Sequence, residues 1–212
     1  MKLWLIVPVK PFQCGKSRLA GVLDREQRAL LSELLLDNLL AVVSGVDILA
    51  KIIVVSQDDS AVRSIAYRHG VSVLQEVDSG LNAALTQASE YAREHGADSV
   101  LALPADLPLI TAREIYQLYW LASDSPDQQM VIVPSRDGGT NALLLRPPGG
   151  IDFAFGLDSC QKHCDKAIAA GIPYTVWQSP ALAVDVDRPT DLWALFQNRF
   201  FDQIFQNGEH LG

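Results

Sequence analysis

Disulfides, membrane spans and a surplus of positive charge are all missing from this 212-residue chain. Its three cysteines, Cys14, Cys160 and Cys164, are odd in number and form no CxxC pair, so a disulfide framework is not expected and a reduced cytoplasm fits. Cys160 and Cys164 flank His163, but a closed zinc site needs four ligands, and small side chains near a helix start are the simpler reading. The apolar run Leu3-Trp4-Leu5-Ile6-Val7 stops at Pro8, too short for a signal peptide. No stretch reaches the roughly 20 apolar residues of a membrane span. With 17 basic against 25 acidic residues the net charge is −8, which gives no general attraction to nucleic acid or an anionic membrane. An anionic substrate must therefore be held by local cations or metal ions. Repeats, low-complexity tracts and an interdomain linker are absent too, so residues 1–212 read as a single domain.

What is present is an alternation of short apolar runs and amphipathic stretches. Leu3–Val9 reads as a buried strand, followed by the cation-rich loop Lys10–Leu19 and a helix over Asp24–Val43 with Leu31, Leu35 and Leu39 on one stripe. Strands are expected at Lys51–Ser56, Val71–Leu74 and Ser99–Leu103. Helices are expected over Ser60–His69, from the end of a loop Gln75–Leu81 to His95, and from a Thr111/Glu114 capping box to Ala122. This β-α order implies a mostly parallel sheet with helices on both faces. The second half is richer in strands: Met130–Pro134, Ala142–Arg146, Tyr174–Trp177 and Ala181–Val186. Helices are expected at Ser159–Ala170 and from Pro189 onward. The aromatic tail with Phe200, Phe201 and Phe205 is expected to pack on the domain or against a second subunit, as in a homodimer.

In an open α/β sheet, ligands bind beyond the carboxyl ends of the strands. After the first strand, Lys10, Lys16 and Arg18 place three cations within nine residues, enough to neutralise a triphosphate. Gly15-Lys16-Ser17 suggests a P-loop, but the glycine that loop needs five residues earlier is Lys10. After the third strand, Gly80 lets backbone approach a ligand and Asn82 is placed to read a base or ribose, with helix capping as the alternative. After the fourth, Asp106 lies between Pro104 and Pro108 and suits Mg²⁺, or else simply starts a turn. Asp185 and Asp187 alternate along an extended segment, so both carboxylates can meet one cluster of metal ions. A haloacid-dehalogenase reading of this Asp-x-Asp fails, because the first strand carries no Asp. Ser159 sits where helix-terminal amides favour a phosphate or carboxylate, or acts as an N-cap.

Five segments, in order through nearly the whole chain, resemble the CofC/FbiD guanylyltransferases of coenzyme F420 biosynthesis. They are Val7–Pro11 with Lys16–Leu19, Leu103–Pro108, Pro134–Leu143, Phe155-Gly156 with Ser159 and His163, and Asp185-Val186-Asp187. The run Ser135-Arg136-Asp137-Gly138-Gly139-Thr140-Asn141-Ala142-Leu143 is the most specific. The resemblance implies a GT-A-like α/β nucleotidyltransferase fold, a mostly parallel central sheet flanked by helices with a β-rich insertion in the second half. It implies transfer of GMP from GTP to phosphoenolpyruvate, 2-phospho-L-lactate or 3-phospho-D-glycerate, releasing pyrophosphate. It puts the acid on Thr140, Gly156 and Ser159, and Mg²⁺ on Asp106, Asp185 and Asp187. The nucleotide is expected along Pro8, Val9, Lys10, Lys16, Arg18, Gly80, Asn82 and Pro104, with Lys10, Lys16, Arg18 and Asp106 as the catalytic set. Asp158 departs from the family pattern, where glycine is expected, and adds a carboxylate beside an anion site.

A phosphate monoester already carries about −1.5 to −2 charges at pH 7, so the attacking group needs no general base. None of His69, His95, His163 and His210 is therefore expected to act as one. The alternatives are a related nucleotidyltransferase using CTP or another acceptor, a glycosyltransferase of the same fold, and a catalytically silent nucleotide-binding module.

Overall fold

The alternating pattern resolves into seven strands and five α-helices among the described residues, 1–123 and 128–197, of the computed structural model. In chain order they are β1 (Leu3–Val9), α1 (Arg25–Val43), β2 (Leu49–Ser56), α2 (Ser60–Arg68), β3 (Ser72–Gln75), α3 (Leu81–Glu94), β4 (Ser99–Ala102), α4 (Ala112–Ser123), β5 (Gln129–Pro134), β6 (Thr140–Arg146), α5 (Ser159–Ala169) and β7 (Tyr174–Val176). Short 3-10 turns at Phe12–Cys14 and Ser17–Leu19 fold the basic loop, and a longer one covers Pro189–Gln197.

One seven-stranded sheet runs β3-β2-β1-β4-β6-β5-β7. β6 is antiparallel to both its neighbours, and every other pairing is parallel. β1 lies near the middle and is covered on both faces, which is why its residues are apolar without alternation. Leu3, Leu5 and Val7 face α1, α2 and α4, while Trp4 and Ile6 face α3 and α5. Parallel strands return through helices, so the loops that follow β1, β2, β3 and β4 gather at one edge of the sheet. Local signals start the helices. Asp24 caps α1 by accepting from the Gln27 amide, and the Gln27 side chain answers the Asp24 amide.

Four expectations change. The strands of the second half are not an insertion: β5, β6 and β7 extend the central sheet, because β6 covers the edge that β4 would otherwise leave unpaired. Ala181–Val186 makes no ladder. It is a turn followed by extended chain whose polar groups bond to loops over the sheet end, with the Val186 amide donating to the Asp106 carbonyl at 3.1 Å. Its alternate residues Leu182, Val184 and Val186 are nevertheless buried, so the period of two is real although the strand is not. At the start of α4 the Thr111 amide and hydroxyl both donate to the Glu114 carboxylate, so the hydroxyl does not take the acceptor's part that a capping box gives it. Pro189 opens a 3-10 turn rather than an α-helix. The aromatic tail lies outside the described residues.

A small third cluster of Leu19, Leu23, Leu31, Leu35, Val186 and Leu195 joins the basic loop, α1 and the Asp185–Asp187 segment. Leu19 is fully buried there. Leu19→Ala should cost about 2–5 kcal/mol, read as a lower urea midpoint, because a cavity opens beneath the loop that carries Lys16 and Arg18.

Candidate active site

A cleft of about 600 Å³ opens at the gathered loops. Pro8, Val9, Lys10, Lys16 and Arg18 line it from the first strand and its loop, Gly80 and Leu81 from the start of α3, Pro104 and Asp106 from beyond β4, and Asp187 from the last segment. Lys16 takes a left-handed backbone (φ 54°, ψ 35°) that turns its side chain inward. Its ammonium meets the Asp106 carboxylate at 2.5 Å, and the Lys16 side chain is only 9% exposed, so water screens the contact little. Arg18 pairs with Asp187 in a more exposed contact, where water screens the charges more. Asp191 accepts from the amides of Asp187 and Arg188 at 3.1 and 2.7 Å and so anchors the segment's end.

Asp185 is held differently. The Asn141 side-chain amide donates to its carboxylate at 3.1 Å and to the Leu182 carbonyl at 2.8 Å. Burial, and then the nearby Asp106 charge, push the Asp185 carboxyl above its ordinary range despite the Asn141 bond. Asp106 and Asp187 thus line one end of the cleft, while Asp185 stays behind its wall, close enough to feel the Asp106 charge and tied to that loop through the Val186–Asp106 backbone bond. Among the described residues no three His, Cys, Asp or Glu groups stand ready to hold a metal ion. Lys16 and Arg18 already neutralise two of the three carboxylates.

Thr140, Gly156 and Ser159 lie beside the cleft rather than in its wall. The Ser135–Asn141 turn presents Thr140 at the first position of β6. The Ser135 hydroxyl donates to Asp137 at 2.6 Å and holds that carboxyl below its ordinary range. A Cβ at Gly139 would come within 2.6 Å of the Ser135 hydroxyl oxygen and would push it off Asp137. Ser159 starts α5, and its hydroxyl donates to the Thr140 hydroxyl at 3.0 Å. Gly156 is exposed, with φ 130°. Asp158 is left-handed and its carboxylate reaches toward Gly138 across the same opening.

Asn82 has a different task from reading a base. Its side-chain oxygen accepts from the Phe155 amide at 2.8 Å and its nitrogen donates to the Phe155 carbonyl at 3.2 Å. Both its polar atoms are committed to the loop that carries Gly156. Asn141 and His163 were not among the expected site residues. Asn141 stood in the most specific sequence run, but its hold on Asp185 joins positions 44 residues apart and needs the fold to be visible. His163 is fully buried and turned away from zinc chemistry, with both ring nitrogens bonded, to Thr140 at 3.1 Å and to the Ala154 amide at 2.9 Å.

The match to known proteins agrees with this arrangement. Residues 3–198 match the model of the family described as "Guanylyl transferase CofC like". The chain belongs to that family. It is 41% identical over 193 residues to a phosphoenolpyruvate guanylyltransferase of Rubrobacter xylanophilus, covering 91% of this chain and 92% of that one. It is 32% identical over 192 residues to a 2-phospho-L-lactate guanylyltransferase of Methanocaldococcus fervens, covering 91% and 84%. In fold it resembles a putative nucleotide-diphospho-sugar transferase of Desulfovibrio desulfuricans, with a TM-score of 0.75 at 18% identity over 100% of this chain and 97% of that one. It also resembles a 4-diphosphocytidyl-2C-methyl-D-erythritol synthase of Anaerococcus prevotii, with a TM-score of 0.61 at 11% identity over 95% and 96%. The fold is thus that of the nucleotidyltransferases, and the family makes the chain a nucleotidyltransferase.

Burial, and then the nearby Lys166, lower the His163 pKa from 6.5 to about 4. The unfolded chain takes up this proton below about 6.5 while the folded ring refuses it. The stability tied to the neutral ring is therefore complete above about pH 6.5 and lost as pH falls toward 4, on the order of 3 kcal/mol in all. Urea midpoints of the wild type should drop across this window, and in His163→Asn that part of the slope should vanish.

Proposed function

We propose that the chain transfers GMP from GTP to the phosphate of a three-carbon phospho-acid, phosphoenolpyruvate before 2-phospho-L-lactate, and releases pyrophosphate. The observation that carries this reading is the meeting, at one cleft, of Lys10, Lys16 and Arg18 with Asp106 and Asp187, with Asp185 held behind them, in a chain 41% identical to a phosphoenolpyruvate guanylyltransferase. The 32% identity to a 2-phospho-L-lactate enzyme puts that acid second, and coenzyme F420 biosynthesis is the metabolic setting we assign.

An oxygen of the acceptor phosphate attacks the α-phosphorus of GTP in line. The new P–O bond forms as the bond to the β-phosphate bridging oxygen breaks, and pyrophosphate leaves with that electron pair. No proton must be removed from the nucleophile. That suits a site beside which His163 is buried with both ring nitrogens hydrogen-bonded. The difficulty is repulsion between two polyanions. Lys10, Lys16 and Arg18 answer it by turning to the phosphates, which frees the Asp106 and Asp187 carboxylates. These two, with Asp185, form an all-oxygen set of the kind hard cations take, and the raised Asp185 carboxyl is a group that a cation would relieve. Mg²⁺ held there would neutralise charge across the phosphates. The Gly80–Leu81 turn supports the nucleoside end of the cleft.

We assign the enzyme to the cytoplasm on its three free cysteines. No helix among the described residues is long and apolar enough to cross a membrane.

Pyrophosphate release from GTP and Mg²⁺, assayed with phosphoenolpyruvate, 2-phospho-L-lactate and 3-phospho-D-glycerate in turn, tests the reading. Phosphoenolpyruvate should be the fastest acceptor, and CTP should not replace GTP. GTP binding without release for any acid would show a silent module instead. Asp106→Asn should cut turnover by roughly a hundredfold or more without lowering the melting temperature, and near-wild-type turnover in that variant would refute its role.

A further inference from the structure

The bonds around His163 fix where its proton sits. The Ala154 amide can only donate, so the Nε2 it meets at 2.9 Å must be the acceptor. A neutral ring then carries its proton on Nδ1, which donates to the Thr140 hydroxyl oxygen at 3.1 Å. The Ser159 hydroxyl donates to that oxygen as well, at 3.0 Å. Both lone pairs of the Thr140 oxygen are thereby used, and its own proton is left over. With the opposite tautomer the count fails. Thr140 would give its proton to the ring, Ser159 would give its proton to Thr140, and the pair would have no donor left for an anion.

With Ser159 donating to it, the Thr140 proton has no further protein acceptor among the described residues. All three are buried, Ser159 and His163 at 1% and 0% and Thr140 at 7%, so Thr140 is the least enclosed member. Gly156, whose carbonyl accepts from the Ser159 amide at 3.2 Å, is exposed.

We propose that His163 is a positioning residue: its Nδ1–H holds the Thr140 oxygen as a double acceptor and so turns the Thr140 proton out to an anionic oxygen of the phospho-acid. The Ala154 amide is the fixed element behind this, since it forbids the other tautomer. Burial of the ring, which keeps it neutral at working pH, acts in the same direction. The assignment rests on the guanylyl-transfer reading above.

Two isosteric variants separate positioning from packing. In His163→Gln the amide oxygen reaches the Ala154 amide but no donor faces Thr140. In His163→Asn the amide nitrogen stands near the place of Nδ1 and the donor is restored. His163→Gln should raise the KM for phosphoenolpyruvate by about tenfold or more, with the KM for GTP changed by less than about twofold. His163→Asn should stay within about threefold of wild type for both substrates. A parallel rise in both KM values, equal loss in both variants, or an unchanged acid KM in His163→Gln with an active wild type would overturn the inference alone. A wild type that turns over none of the three acids would overturn the guanylyl-transfer reading and this inference with it. Nitrogen-15 spectra of the wild-type imidazole give a readout that no folding defect can blur. They should show a protonated Nδ1 and a bare Nε2 at pH 7, and the reverse tautomer would sink the proposal whatever the kinetics.

Discussion

The backbone bond from the Val186 amide to the Asp106 carbonyl joins two loops eighty residues apart in sequence, and the acidic half of the site depends on it. Extended chain places Asp185 and Asp187 on either side of Val186, and Val186 itself is buried against Leu19, Leu31 and Leu35. The same apolar contact seats the loop that carries Lys16 and Arg18. One buried valine, with its amide bonded, therefore sets two carboxylates and two cations around one opening, with Asp185 behind them. Neither ionic group could do this alone, because surface ion pairs stabilise a fold little and position long side chains loosely.

Charge explains how the cleft can exist before any substrate enters. Three carboxylates at one end of a chain of net charge −8 would repel one another and any triphosphate. Lys16 and Arg18 stand on Asp106 and Asp187, while Asp185 relies on Asn141 and carries a carboxyl that is reluctant to ionise. The two cations face two tasks, as counter-ions in the free protein and as phosphate ligands in the proposed reaction. Exchange between them couples nucleotide binding to release of the carboxylates.

The second region, where the phospho-acid is proposed to bind, is built by quite different means. Its polar atoms are buried and neutral, and they work by direction rather than charge. Asn82 clamps the Phe155 peptide, His163 stands on the Ala154 amide, and Ser159 and His163 both point at Thr140. Buried polar groups left without partners are costly, so such a network tolerates one arrangement. That rigidity suits the reading of a small anion beside a cleft whose other contacts are long, adaptable cations.

Much of the fold was legible along the chain. Continuous apolar runs marked β1, β2 and β4 because they are buried on both faces, and Gly70, Gly96 and Gly171 marked helix ends because left-handed backbone follows each helix there. The order of β and α elements was enough for a mostly parallel sheet, and so for the edge at which ligands bind. Lys10, Lys16, Arg18 and Asp106 were legible as residues that follow strands, and Asp185 with Asp187 as an alternating pair. Whether the alternation at Ala181–Val186 meant a strand could not be read, since period two reports extended chain and burial while a ladder also needs a free neighbour. The place of β6 between β4 and β5, the commitment of Asn82 to Phe155, the hold of Asn141 on Asp185 and the tautomer of His163 all join residues far apart in sequence. These were decided only by the tertiary structure, because a hydrogen bond depends on where two atoms meet, and local pattern carries no record of that.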